Sequence, residues 1–144
     1  MAFDALVRQA NAHLADLSPR YRLMSVPGAA LELQVADQDL GSEVRTINSL
    51  SGGEVFLVSL ALALGLSSLS TRATQAQTLF IDEGFGTLDR DTLDHAMVAL
   101  ENLQATGRTV GIISHVPELQ ERFGAQVRVE KAGCGKSRVI VVSA

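Results

Sequence analysis

Three short stretches carry residue types that can do phosphate chemistry. The first is Leu50-Ser51-Gly52-Gly53-Glu54. A serine followed three residues later by glutamate, before a long apolar run, is a helix-capping box: Ser51 caps the first turn and Glu54 reaches back. That accounts for Ser51 and Glu54 but not for two glycines, each of which weakens a helix by roughly 1 kcal/mol relative to alanine. Backbone amides at a helix N-terminus, with no Cβ in the way and the positive end of the helix dipole behind them, suit an anionic phosphate. Ser51, Gly52 and Gly53 therefore become candidate phosphate contacts, with Glu54 completing the set. The second stretch is Asp82-Glu83, directly after the apolar run Thr78-Leu79-Phe80-Ile81. Adjacent carboxylates ending an apolar strand are costly unless a cation is near. In α/β sheets, ligands gather at the carboxyl ends of strands. One of the two carboxylates can hold Mg²⁺, directly or through water, and its neighbour can orient or deprotonate a water. A solvated acidic pair at a strand end is the plainer alternative. The third is His115, after the apolar strand Thr109 to Ser114. A strand, helix, strand order makes that strand parallel to the Asp82 strand, so His115 is expected to approach the same edge as Glu83.

Other residues invite chemistry and do not support it. Gly133-Cys134-Gly135-Lys136-Ser137 ends like a phosphate-binding P-loop, but the glycine required five residues before Gly135 is Glu130. A P-loop also joins a strand to a helix, whereas this segment lies between two strand-like runs and reads as a hairpin turn. No other stretch fits the P-loop pattern. His13 and His95 fall on expected helices without converging partners and are read as structural. Cys134, the single cysteine, cannot form an internal disulfide, which suits a reducing compartment.

The elements that must position these residues follow from pattern. Residues 3–17 read as a helix whose seam is Phe3, Val7, Ala10, Leu14 and Leu17, stopped by Pro19. Tyr21 to Val26 and Ala30 to Ala36 read as strands joined by a Pro27-Gly28 turn, with Leu31, Leu33 and Val35 on one face. Residues 37–49 are polar and read as a loop holding at most a short strand. A helix from Gly53 to Leu69 is apolar on almost every side and is expected to be buried. Ser70 to Gln77 reads as a linker, Asp91 to Gln104 as a helix, and Pro117 to Phe123 as a short helix. Gln126 to Glu130 and Ser137 to Val142 are expected to pair as a closing hairpin. The expected fold class is α/β.

Length and composition set the frame. The 144 residues suffice for one compact domain, and 47% apolar content with only 4% aromatic predicts an aliphatic core. A net charge of −4 is not that of an obvious nucleic-acid binder, since phosphate binding needs clustered Lys and Arg, so any DNA contact is expected on another segment, another subunit or a local patch. The N-terminus lacks a signal-peptide layout. The longest apolar stretch, Val55 to Leu66, reads as too short and too broken to span a bilayer, so a soluble protein is expected.

Taken in order, Leu50-Ser51-Gly52-Gly53-Glu54, Thr78-Leu79-Phe80-Ile81-Asp82-Glu83, Gly86-Thr87-Leu88-Asp89 and Ile113-Ser114-His115 resemble the signature motif, Walker B, D-loop and H-loop of an ABC-type ATPase. The Gly84-Phe85-Gly86-Thr87 form after Glu83 narrows the resemblance to the SbcC family, the ATPase partner of the SbcD nuclease. Residues 11–23 resemble the point where that family's coiled coil re-enters its head. The resemblance implies the C-terminal lobe of an ABC-type head, with parallel strands, crossover helices and a terminal β-hairpin. Within it, residues 1–18 would be the helix at the coiled-coil re-entry, 19–49 strands, 50–116 the motif region, and 117–144 the closing helix and hairpin. By resemblance, Ser51, Gly52 and Gly53 contact the γ-phosphate of ATP held by an opposing subunit, and Asp82 helps hold Mg²⁺. Glu83 activates water, His115 senses the γ-phosphate, and Asp89 lies at the dimer interface. The implied partners are an N-terminal half bearing the P-loop, a second head, an SbcD-like nuclease and double-stranded DNA through the complex, in the cytoplasm with no membrane. An SMC-like head that tethers DNA would carry the same motifs, and a nuclease partner that co-purifies would discriminate the two.

Overall fold

A computed structural model describes residues 2–69 and 78–143. The expected linker Ser70 to Gln77 lies outside the described residues. The chain groups into two compact units, Met1–Ile113 and Ser114–Ala144.

The first unit opens with helix α1, Ala2–Leu17, whose Val7, Ala10, Leu14 and Leu17 are buried at helical spacing, as the seam predicts. It stops where Ser18 closes the last turn onto the Leu14 carbonyl and Pro19 follows. Strands β1 (Tyr21–Ser25), β2 (Leu33–Asp37) and β3 (Glu43–Thr46) form an antiparallel sheet in that order. Asn11 on α1 imitates a neighbouring strand for β1: its amide donates to the Leu23 carbonyl at 2.9 Å and accepts from the Leu23 N–H at 2.7 Å. Strand β2 starts later than Ala30 because Leu31 has φ +63° and sits in the preceding turn, exposed. Leu31 therefore does not share a face with Leu33 and Val35. The polar segment 37–49 is more ordered than its composition suggests: β3 is flanked by 3-10 turns at Gln38–Leu40 and Ile47–Ser49.

Helix α2, Gly52–Leu69, crosses α1 so closely that a Cβ on Gly65 would lie 2.7 Å from the Ala10 nitrogen. The expectation that α2 is buried all round is corrected here. Leu57, Val58, Leu60, Ala61, Leu64 and Gly65 are buried, whereas Val55, Ser59, Ala63 and Leu66 form an exposed stripe at four- and three-residue steps. By length and composition alone α2 would suffice to cross a bilayer, which the reading of its apolar stretch as too short missed. A helix packed on α1 with a glycine at the crossing is equally the core helix of a globular unit.

Strand β4 (Thr78–Asp82), helix α3 (Arg90–Ala105) and strand β5 (Thr109–Ile113) form the expected βαβ unit. Strands β4 and β5 run parallel in register, Thr78 opposite Thr109 through Asp82 opposite Ile113. Helix α3 buries Leu93, Ala96, Met97, Leu100 and Leu103, one face at helical spacing. In the sheet, Ile81 is buried, while Phe80 is 72% and Ile113 54% exposed on the opposite face. The second unit holds the short helix α4 (Pro117–Arg122) and the antiparallel hairpin of β6 (Gln126–Gly133) and β7 (Lys136–Val142).

Candidate nucleotide-facing site

The site begins at the first turn of α2. The Ser51 N–H donates to Glu54 Oε2 at 2.6 Å, and the Glu54 N–H donates to Ser51 Oγ at 3.4 Å, so the capping box is formed. The amides of Gly52 and Gly53 belong to the first turn, which has no intrahelical acceptors. Glu54 turns its other oxygen inward. Oε1 accepts from the Tyr21 hydroxyl at 2.8 Å and from Arg45 Nη2 at 2.7 Å. Arg45 Nη2 also reaches Asp37 Oδ2 at 3.3 Å. Asp37, fully buried, is gripped by the Arg20 guanidinium through two bonds of 2.8 Å. Burial pushes the Glu54 carboxyl up, but the Ser51 amide, Arg45 and Tyr21 outweigh it and bring it down to about 2. Arg20 holds the Asp37 carboxyl below its ordinary value against burial. Burial and the Glu54 carboxylate push the Tyr21 hydroxyl up to about 12.

The loop after β4 packs directly on this turn. A Cβ on Gly53 would stand 2.8 Å from the Thr87 carbonyl oxygen. Gly84, at φ +96°, lies under the Phe56 ring, and Phe56 meets the buried Phe85 edge-on with ring centroids 4.8 Å apart. Phe85 is thus the anchor that pins the loop to α2. Asp89 closes the loop as the cap of α3, accepting from the Thr92 N–H at 2.9 Å and the Thr92 hydroxyl at 2.7 Å.

At the carboxyl edge of the parallel pair, Asp82 is the last residue of β4 and is exposed. The Glu83 N–H adds one more bond to β5, donating to the Ile113 carbonyl at 2.9 Å. Glu83 then turns at φ +59°, a left-handed backbone that costs a β-carbon residue roughly 1–2 kcal/mol. Such strain concentrates at functional positions. His115 follows β5 two residues later in the chain and belongs to the second unit, where the Val116 N–H donates to Ser114 Oγ. The segment Gly133 to Lys136 joins β6 to β7 as a hairpin turn with Gly133, Cys134 and Gly135 all at positive φ, the geometry expected against a P-loop. Among the described residues there is no group of three or more His, Cys, Asp or Glu to make a metal site within the chain. One exposed carboxylate at a strand end still fits Mg²⁺, which takes one or two carboxylates and completes its shell with phosphate oxygens and water.

Sequence reasoning missed Arg20, Tyr21, Asp37 and Arg45. Their pairing comes from sheet register, Tyr21 opposite Asp37 and Val35 opposite Arg45, and no local spacing reports it. The one available signal is Asp37 directly after the apolar pair Val35-Ala36, a position where a carboxylate needs a partner.

Comparison with known proteins gives a consistent reading. The SbcC component of the SbcCD nuclease of Rhodobacter capsulatus is 55% identical over 141 residues, covering 98% of this chain and 11% of the relative. The protein of that name from Pseudomonas aeruginosa is 52% identical over 139 residues, covering 96% of this chain and 11% of the relative. The chain thus spans about a tenth of the length of these relatives. The crystal structure of the Smc head domain with an extended coiled coil bound to the C-terminal domain of ScpA, from Pyrococcus furiosus, superposes with a TM-score of 0.74. It is 22% identical, covering 98% of this chain and 35% of that one, a likeness of fold alone. The fold, mixed α/β with a parallel pair and a terminal hairpin, is like that of part of this Smc head domain. A family model described as SbcC/RAD50-like, Walker B motif, matches residues 28–102, just over half of the chain, and on that match the chain belongs to the SbcC/RAD50-like family.

Proposed function

We propose that residues 1–144 are the C-terminal part of an ATP-hydrolysing head in an SbcC-like protein, and that the head controls a double-strand DNA nuclease in repair or recombination. The observation that carries this reading is the direct packing of the Ser51 turn on the Gly84–Leu88 loop, which follows a strand ending in Asp82 with Glu83 next in the chain. In this reading Ser51, Gly52 and Gly53 offer donors to the γ-phosphate of ATP held by an opposing subunit, and Glu54 holds them in place. Asp82 would be one Mg²⁺ ligand, the metal neutralising phosphate charge when bound. Glu83 orients and deprotonates the attacking water, His115 reads the γ-phosphate, and Asp89 lies toward the second head. The P-loop is supplied by an N-terminal half of the same subunit. Support for that half comes from exposed apolar surface: parallel sheets are ordinarily covered on both faces, yet Phe80 and Ile113 are open, as is the Val55–Leu66 stripe of α2. An SbcD-like nuclease, a second head and double-stranded DNA through the complex complete the partners, in the cytoplasm.

The test uses heads rebuilt with the N-terminal half and run on size-exclusion chromatography with Mg-ATP. Glu83→Gln keeps shape and hydrogen bonding but loses the base, so closed dimers accumulate while hydrolysis falls by a factor on the order of 10² or more. Ser51→Arg puts bulk where the opposing phosphate must dock, so each head binds ATP and stays monomeric. Two monomers would show that Glu83 acts in closure as well. A dimer for Ser51→Arg would reduce the Ser51 turn to a helix cap.

A further inference from the structure

We propose that Arg45 and Tyr21 are positioning residues for the Ser51 turn, acting through Glu54 as a brace that ties the phosphate-facing amides to the β1–β2–β3 sheet. The proposal rests on the reading of that turn as the phosphate contact. Its geometry is a chain of charge-assisted bonds, from the Ser51 N–H to Glu54, from Glu54 to Tyr21 and Arg45, and from Arg45 to Asp37, which Arg20 holds.

An ordinary capping box needs only the serine and the glutamate. Here one glutamate oxygen serves the cap and the other takes two further donors, both from the sheet. Arg45 reaches two carboxylates with one nitrogen, at 2.7 Å to Glu54 and 3.3 Å to Asp37, and its buried Nε has no partner. An arginine used only to stabilise the fold would be expected to spend its fork on one bidentate carboxylate, as Arg20 does. Arg45 instead bridges, with its charge set between the sheet's buried aspartate and the glutamate of the turn. Tyr21 adds a rigid strut from β1, its ring covered by the Arg20 guanidinium at 5.1 Å. The Ser51 N–H is spent on Glu54, and with both oxygens of Glu54 engaged the turn that carries the Ser51 hydroxyl and the Gly52 and Gly53 amides is tied down before any phosphate arrives. Donors held in place without reorganisation are those that stabilise developing charge best.

The brace acts on phosphate held by the opposing subunit, so its loss separates kcat from KM. The experiment uses the full-length protein with its nuclease partner, and Mg-ATP as the probe. Arg45→Ala should lower kcat about tenfold or more, the scale of a misplaced contact, with KM for ATP unchanged within about twofold and the ATP-dependent dimer fraction reduced. Glu54→Gln should do the same, and the double variant should be no worse than either single one, because both cut the same chain. Arg45→Lys, which keeps a cation between the two carboxylates, should recover a large part of the loss. Should Arg45→Ala fail to fold, Tyr21→Phe removes a single hydroxyl and should still lower kcat about threefold at unchanged KM. Wild-type kcat in Arg45→Ala or Tyr21→Phe, or losses that multiply in the double variant, overturns the proposal. Ser51→Arg, run alongside, separates the two levels. If it forms dimers normally, the phosphate reading fails and takes the brace with it. If it blocks dimers while Arg45→Ala behaves as wild type, only the brace fails.

Discussion

A Cβ on Gly53 would lie 2.8 Å from the Thr87 carbonyl oxygen, whereas one on Gly52 would meet nothing closer than the Thr87 methyl at 3.6 Å. The two glycines thus have different reasons. Gly53→Ala pushes a methyl into backbone and should destabilise a rebuilt head by about 1–3 kcal/mol, read as a lower melting temperature. Gly52→Ala fits the fold and should leave stability unchanged or raised by up to about 1 kcal/mol. In the proposed reading Gly52 is one of the phosphate contacts, so a methyl there should still reduce ATP-driven dimerisation, measured by size exclusion with Mg-ATP. Wild-type dimerisation in Gly52→Ala would remove Gly52 from the site. The neighbouring Glu54 yields a pH prediction. Its carboxyl drops from an ordinary 4.5 to about 2 in the folded chain, so the folded state favours the charged form. The resulting stability is full above about pH 4.5 and is lost as pH falls toward 2. Glu54→Gln should flatten that part of the acid-denaturation curve, and an unchanged slope would contradict the brace seen around this carboxylate. Both glycines, the capping box and the acidic pair are legible in sequence because each is a local pattern. The steric reason for Gly53 is not, since it depends on a carbonyl more than thirty residues away.

At the scale of elements, the helical seam of α1 and the βαβ order of β4, α3 and β5 follow from periodicity, and both are found. Helix α2 shows where periodicity runs out. A helix apolar on all sides is read as wholly buried, because hydrophobicity reports what can be covered and not what covers it. In this chain α1 covers one side, at a crossing where Gly65 meets Ala10, and the Val55–Leu66 stripe remains exposed. The crossing is a close backbone approach that only a glycine permits, and it gives the element its own prediction. Gly65→Ala gains helix propensity of roughly 1 kcal/mol but sets a Cβ 2.7 Å from the Ala10 nitrogen, so overpacking of about 1–3 kcal/mol opposes it. The clash is with backbone rather than a movable side chain, so the net effect should be destabilising in a thermal melt. A neutral or stabilised variant would mean that α1 can slide along α2. The polar segment 37–49 departs from its pattern in the opposite sense: its order comes from β2–β3 pairing and from Asp37, which composition alone cannot report.

For the molecule as a whole, the exposed apolar surface decides what the chain can do by itself. A two-stranded parallel sheet with Phe80 at 72% and Ile113 at 54% exposure leaves one face in water, and α2 adds a second uncovered strip. Burying an aromatic side chain of this kind is worth roughly 1.5–3 kcal/mol, so an N-terminal half seated here would gain substantially from Phe80. Phe80→Ala should therefore change the melting temperature of the isolated chain little, since the ring is already in water. The same substitution should weaken association with the N-terminal half by a factor of about 10 or more, measured by co-purification or calorimetry of the two halves. Equal effects in both settings would place the N-terminal half elsewhere. The same incompleteness governs nucleotide. No stretch of the sequence matches the P-loop pattern, and Gly133–Lys136 is a hairpin turn, so in the proposed reading the loop that supplies most donors to the β- and γ-phosphates comes from the N-terminal half. Calorimetry should find weak or no Mg-ATP binding to the chain alone, and Lys136→Ala should leave hydrolysis by the rebuilt head near wild type. Tight binding by the isolated chain would require a phosphate cradle within it, and a large loss in Lys136→Ala would point to the Gly133–Ser137 turn as that cradle.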